Sequence, residues 1–251
     1  MQKLKNKIAL ITGAGAGIGH AICKSLSDDG ATIIAVARNE NNLTQLQQQL
    51  SKNEHQYWSI DLSNKEGQNK LLKQLEDFNL PHIVVCNLHI PSEKKRLINI
   101  TQENFSENFT MNVDHLFTIM QKTLQFQREE KFGRWIGISS FAAHTGLPGQ
   151  AIYNAQKSAM ESLFLNLAAE EGKYEITANI VSPGFIQTAS TEKNIPTEMF
   201  NKIASFNVMK RAGKPGEIAA AVNFLASPDA SYITGINLPV CGGAQLAWHF
   251  S

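Results

Sequence analysis

Residues Ala9 to Ile22 read ALITGAGAGIGHAI and place four glycines, Gly13, Gly15, Gly17 and Gly19, within seven positions. An apolar run precedes them and a helix-like pattern follows. Glycine tolerates positive φ and lets a bulky group approach the main chain closely. The first N–H groups of a helix, with its dipole, favour a phosphate. Strand, glycine turn and helix in that order predict a cradle for a nucleotide phosphate. The spacing is not G-x-G-x-x-G, because Ile18 stands where Gly13 and Gly15 require a third glycine, and His20 fails the same test counted from Gly15. The G-K-S/T ending of a nucleoside-triphosphate loop is also missing. What stands is Thr12-Gly13, three residues, then Gly17-Ile18-Gly19. The plain alternative is a glycine-rich turn that binds nothing.

Outward from this stretch the chain alternates. Strands are expected at Ile8–Thr12, Thr32–Ala37, His55–Ile60, Ile83–Cys86, Trp135–Ser139, Thr177–Val181 and Gly235–Val240. Helices are expected at Ile18–Asp28, Asn42–Leu50, Lys65–Phe78, Thr101–Gln127, Ile152–Glu171 and Pro215–Ala226. Apolar strands separated by helices indicate βαβ units and a parallel sheet. No linker, repeat or low-complexity tract interrupts the pattern, so residues 1–251 read as one α/β domain of a size that buries a substantial core.

The formal net charge is +1, from 23 basic and 22 acidic residues, which offers nothing to a nucleic-acid backbone or an anionic membrane. Cys23, Cys86 and Cys241 are odd in number and widely spaced, which argues against a disulfide framework and a structural zinc site. No metal site is expected. The amino-terminal apolar stretch is too short for a signal peptide, and no run is long enough to span a bilayer. A soluble cytoplasmic protein is expected.

In a doubly wound sheet the end of the second strand lies beside the adenosine ribose, where an acid would bind the 2′-hydroxyl. Here Ala37 takes that place and Arg38 follows it. A guanidinium neutralises a 2′-phosphate, so NADP is expected in preference to NAD. The competing reading makes Arg38 a solvated loop residue.

Tyr153 and Lys157 lie at i and i+4 in YNAQK, on one face of an expected helix. A free phenol titrates near pH 10, and a nearby ammonium is expected to lower that value toward the range useful for proton transfer. Alone, such a pair is common on surface helices. Thirteen residues upstream of Tyr153, however, an expected strand ends in Ser139-Ser140. A strand-end serine and a helix-start tyrosine can face one cleft at the carboxyl edge of the sheet, where ligands bind in such folds. Pro183-Gly184, after another strand, can shape the same cleft.

With these residues in view, the chain resembles a classical short-chain dehydrogenase/reductase along nearly its whole length. The marks are TGAGAGIG (12–19) for T-G-x-x-x-G-x-G, Asp61-Leu62, Asn112 within MNVDHLF, Ser140, YNAQK, SPGFIQT (182–188) and RAGKPGEIAAAVNFLASPDASYITG (211–235). The resemblance implies a Rossmann-type doubly wound sheet of seven parallel strands in the order 3-2-1-4-5-6-7, with helices on both faces. It implies Asn112, Ser140, Tyr153 and Lys157 as the catalytic set. Tyr153 exchanges the proton, Ser140 hydrogen-bonds the same substrate oxygen, Lys157 holds the nicotinamide ribose, and Asn112 keeps a relay water in line with Lys157. It assigns the cofactor to Gly13, Gly17, Ile18, Gly19, Arg38, Asp61, Leu62, Asn87, Tyr153, Lys157, Pro183, Gly184, Ile186 and Thr188. The reaction implied is hydride transfer between NADP(H) and a ketone or secondary alcohol.

Two stretches depart from the family's usual runs. Where it has N-N-A-G, this chain has Cys86-Asn87-Leu88-His89, with Leu88 and His89 replacing two small residues near the cofactor. His89 reads as a loop histidine rather than a catalytic one. Where the family often has V-D-G-G, Cys241 precedes Gly242-Gly243 and reads as a small packed residue.

Ala189–Met209, with Met199, Phe200, Ile203 and Phe206, is expected as a lid over a partly apolar pocket that also takes Phe141, His144, Leu147 and Phe185. The substrate is expected to be a small ketone or alcohol, with a 3-oxoacyl thioester as the named possibility. Lys131 and Arg134 qualify as the basic patch a carrier-protein substrate would use, but residues 170–175 are net acidic. The alternative function is a non-catalytic NADP-binding sensor or interaction protein. The resemblance also implies a homo-oligomer, a tetramer or dimer. Phe109, Phe117, Phe126, Phe164 and Leu167 are candidates for its interface, and Trp248 and Phe250 in the tail for another.

Overall fold

The computed structural model describes residues 2–50 and 54–247. Trp248 and Phe250 lie outside the described residues. Seven strands, β1 (Ile8–Thr12), β2 (Thr32–Ala37), β3 (Gln56–Ser59), β4 (Ile83–Cys86), β5 (Gly133–Ile138), β6 (Ile176–Pro183) and β7 (Asn237–Val240), form one sheet in the order β3-β2-β1-β4-β5-β6-β7. Every pairing is parallel. This is the architecture that the resemblance implied.

Side chains alternate between the two faces of the sheet and feed two cores. Ala9 and Ile11 face a core with Ile22 and Leu26 of α1 (Gly17–Asp28), Leu43 and Leu46 of α2 (Glu40–Gln49), and Val222 and Leu225 of α8 (Pro215–Ala226). Leu10 and Val84 face a core with Leu71 and Leu75 of α3 (Lys65–Asp77), Leu116 and Ile119 of α4 (Gln102–Glu130), and Met160 and Phe164 of α5 (Ala151–Glu171). With both faces covered, the five inner strands β2, β1, β4, β5 and β6 bury nearly every residue. That explains why they read as apolar runs rather than alternating ones.

Boundaries moved where capping or ladder bonds outrank hydropathy. Asn39 accepts from Asn42 N and starts α2 two residues before the expected Asn42. Thr101 is the cap of α4 rather than its first residue, and that helix runs on to Glu130 before Lys131 turns left-handed at φ 48°. β6 extends past Val181 to Pro183 because Ser182 and Pro183 pair with Pro239 and Val240 of β7.

The chain leaves β1 toward β2 and β3, then returns to β4 on the other side of β1. Ligands bind outside the carboxyl ends of the strands at such a reversal. Thr12 and Cys86 are register partners there, which sets the glycine turn beside Asn87.

Among the described residues no helix is long and apolar enough to cross a membrane. Phe164 and Leu167, expected at an interface, are buried in the subunit core, because their face of α5 packs on the sheet. Phe126 packs edge-on against His82, while Phe117 remains exposed.

Candidate active site

At the reversal point, the glycine turn has no room for a side chain at Gly13 or Gly19. A Cβ on Gly19 would lie 2.2 Å from the Gly13 carbonyl oxygen, and one on Gly13 would lie 2.9 Å from Leu88 Cα, at φ +67°. Asn87 fastens the turn. Its side-chain amide donates to Thr12 O (3.2 Å) and Gly13 O (2.9 Å). Thr12 Oγ1 accepts from the main-chain N–H groups of Asn87 and Leu88, both at 3.1 Å. Asn87 thus works through the shape of the turn. Ile18 opens α1 behind it and packs against the core.

From this turn a cleft of about 190 Å³ runs between Gly13, Gly15, Ala37, Arg38, Leu62 and Leu88. No carboxylate ends β2. Asp61 stands between cleft residues Ile60 and Leu62, and its carboxylate accepts from Ser63 N at 3.0 Å. Burial pushes the Asp61 carboxyl up, but the Ser63 hydrogen bonds and the Arg38 charge outweigh it and hold the group below its ordinary value. Across the cleft mouth, a Cβ on Gly17 would lie 3.2 Å from Thr188 Cγ2, so the loop after β6 meets the start of α1. A turn that excludes a Cβ at Gly13 and Gly19, beside a cleft that reaches Arg38, fits a dinucleotide.

The second half of the site lies beyond β5. Ser140 follows the strand, its Oγ accepts from Ala142 N at 3.1 Å, and it shares the cavity wall with Tyr153. Tyr153 is in the first turn of α5. Lys157, one turn on, is buried, with Nζ 6.0 Å from the Tyr153 ring centre and donating to Ile138 O at 2.7 Å. Burial lowers the Lys157 ammonium to about 8, against the small opposing effects of Cys86 and Glu161.

One expectation changes here. Lys157 does not depress the phenol in the free protein. Burial raises Tyr153, opposed only by Ser140, because the ammonium is turned to the end of β5. The Asn112 side chain is taken up by the neighbouring main chain. Its Nδ2 donates to Ile90 O and Asn108 O, both at 3.1 Å, and its Oδ1 accepts from Ile90 N at 2.7 Å.

Ser140, Tyr153, Phe141, Leu147, Phe185 and Phe206 line a cavity of about 600 Å³, floored by Pro183 and Gly184. The expected lid forms two short helices, α6 (Ala189–Asn194) and α7 (Thr197–Ala204), and Phe200 packs on Phe185 at 4.9 Å between ring centres. Thr188 caps α6. Ile186 is buried and bridges to Gly213. His144 is not in the cavity. It turns outward, 3.0 Å from a Glu161 oxygen, while Ser139 Oγ donates to the other. Arg134 is no surface patch either. It is buried at the start of β5, the opposite end from Ser140, donating to Gly133 O (2.8 Å) and Glu175 O (3.0 Å). Cys241 packs as expected, buried, with its thiol 2.8 Å from Gln245 Oε1.

Sequence reasoning read His89 as a loop histidine and passed over His115. His89 stands edge-on to the Tyr153 ring, 4.9 Å between centres at 86°. His115, one turn beyond Asn112, is buried with neither ring nitrogen in a well-formed hydrogen bond. Burial and the Lys157 charge lower His89 to about 3 and His115 to about 4. Only His89, by its departure from N-N-A-G, carried a signal in the sequence.

Residues 13–245 match the family model described as Enoyl-(Acyl carrier protein) reductase. The chain belongs to the short-chain dehydrogenase/reductase family. It is 35% identical to the 3-oxoacyl-(acyl-carrier-protein) reductase FabG of Haemophilus influenzae, over 97% of this chain and 100% of that protein. It is 30% identical to the acetoacetyl-CoA reductase of Allochromatium vinosum, over 94% of this chain and 98% of that one. A solved structure titled short chain dehydrogenase/reductase family protein superposes with a TM-score of 0.88 at 30% identity, covering 97% and 99% of the two chains. As a member of this family the chain is an oxidoreductase that works with a nicotinamide cofactor.

Proposed function

We propose that this protein is an NADPH-dependent ketone reductase whose favoured substrates are 3-oxoacyl thioesters. The observation that carries the reading is Ser140 and Tyr153 side by side on the wall of the 600 Å³ apolar cavity, with the Lys157 ammonium buried one helical turn away. Tyr153 Oη donates a proton to the substrate carbonyl oxygen, and Ser140 Oγ hydrogen-bonds the same oxygen as charge develops. The cofactor, when bound, supplies the hydride. Gly13, Gly17, Ile18 and Gly19 take its pyrophosphate, and Arg38 the 2′-phosphate. Asp61 and Leu62 meet the adenine, and Asn87 holds the turn. Lys157 meets the nicotinamide ribose, and Pro183, Gly184, Ile186 and Thr188 border the nicotinamide amide. Asn112 fixes the loop beside Tyr153.

Likeness to a 3-oxoacyl-(acyl-carrier-protein) reductase and an acetoacetyl-CoA reductase favours a thioester, and an apolar cavity accommodates an acyl chain. Residues 189–209 act as the lid. Exposed Phe117, Leu165, Phe224 and Ile236 support a homo-oligomer, and three buried free cysteines support a reducing, cytoplasmic setting.

A panel of ketones and 3-oxoacyl thioesters, assayed with NADPH and NADH separately, tests the reading. NADPH-dependent reduction of a thioester is expected, and Tyr153→Phe should lower kcat by about 10²–10⁴ while NADPH still binds. Nucleotide binding with no carbonyl reduced, and with no effect of Tyr153→Phe, would instead identify a nucleotide-binding sensor.

A further inference from the structure

Among four consecutive residues after β4, three are tied by their main chain. Asn87 N and Leu88 N donate to Thr12 Oγ1, and Ile90 exchanges two hydrogen bonds with the Asn112 side chain. His89 is the fourth. Its ring stands edge-on to Tyr153, 4.9 Å between centres. The frame on either side leaves the imidazole little freedom, so it forms a fixed wall for the phenol.

We propose that His89 is a positioning residue that holds the Tyr153 ring in its proton-donating orientation, a role built into this chain where the family's usual run has a small residue. The inference rests on the reductase reading of the site.

The imidazole is neutral wherever the protein is folded near neutrality, since its conjugate acid titrates at about 3. It therefore brings packing rather than charge. Edge-on aromatic pairs favour one ring placement by about two- to tenfold. Small misplacements of a reacting group can cost up to about a hundredfold in rate.

The test uses His89→Gly and His89→Phe in the full chain. His89→Gly opens space and matches the family's run, and His89→Phe keeps a ring. Expected for His89→Gly is a kcat about ten- to a hundredfold lower, with substrate KM and calorimetric NADPH affinity within about twofold of the parent. His89→Phe restores kcat to within about threefold. A second readout needs no turnover. With fluorotyrosine incorporated and its position-153 resonance assigned through Tyr153→Phe, the parent and His89→Phe give one sharp fluorine line, and His89→Gly a broadened or divided one. If the parent reduces no carbonyl, the reductase reading fails while the fluorine spectra still decide the contact. Parental kcat in His89→Gly, absence of rescue by His89→Phe, or an unchanged fluorine line in His89→Gly overturns the proposal.

Discussion

Lys157 shows how a single residue can be costly to the fold and necessary to the chemistry. Its ammonium is buried beneath the cavity wall, and its drop from 10.5 to about 8 measures how poorly that place holds a charge. At neutral pH this penalty is roughly 3 kcal/mol against stability. Lys157→Met removes the charge and keeps most of the stem. It leaves Ile138 O without its 2.7 Å donor, at a cost of about 1–2 kcal/mol. The variant is expected to be as stable as the parent or about 1–2 kcal/mol more stable in urea unfolding at pH 7, yet to lose at least about 10² in kcat/KM. The same value sets a pH limit. Above about 8 the group loses its proton, so kcat/KM for carbonyl reduction should fall there. A destabilised Lys157→Met with retained activity would place Lys157 in the fold rather than in the reaction.

At the scale of elements, the site is a meeting of ends: the start of α1, the loop after β4, the end of β5 and the first two turns of α5. α1 depends on one missing atom. A Cβ on Gly19 would collide with the Gly13 carbonyl at 2.2 Å and with Asn87 Nδ2 at 2.7 Å. Gly19→Ala must therefore push the helix off the turn. A loss of about 2–4 kcal/mol is expected, with NADPH binding weakened at least about tenfold by calorimetry. Gly15→Ala, whose Cβ would lie 3.1 Å from Ala37 Cβ, is expected to cost under about 1 kcal/mol. These ends were legible because the chemistry there is local: the glycine spacing, the Ser140 strand end and the Tyr153–Lys157 spacing each sit in a few adjacent residues. What was not legible depends on contacts between distant segments. Arg134 looks like a surface cation until its strand proves buried, and His144 looks like a pocket residue until Glu161 draws it outward. The phenol's direction of shift failed for the same reason, since where an ammonium points is decided by Ile138, nineteen residues away.

Across the whole molecule, strand order followed from family likeness and individual strands from apolar runs. The doubly covered sheet gathers its buried imidazoles on one side of neutrality. His89, His115, His55 and His82 are all lowered from 6.5, with burial the largest cause in each. A base whose folded value lies below its unfolded one binds fewer protons when folded, so stability falls as pH drops through the gap. For His89 and His115 that gap runs from 6.5 down to about 3 and about 4. Each imidazole removes about 1.4 kcal/mol per pH unit inside it, so the pair should remove roughly 4–5 kcal/mol between pH 6.5 and 4.5. That is a large share of the 5–15 kcal/mol, roughly, that holds a domain together. The urea midpoint is therefore expected to be flat near neutrality and to fall steeply below pH 6.5. In a His89→Phe/His115→Leu variant the decline should be shallower and begin at lower pH. At pH 7 that variant should be no less stable, because His115→Leu removes two unpartnered ring nitrogens from the core. If parent and variant lose stability in parallel between pH 6.5 and 4.5, the acid sensitivity belongs to other groups, and burial of these imidazoles carries none of it.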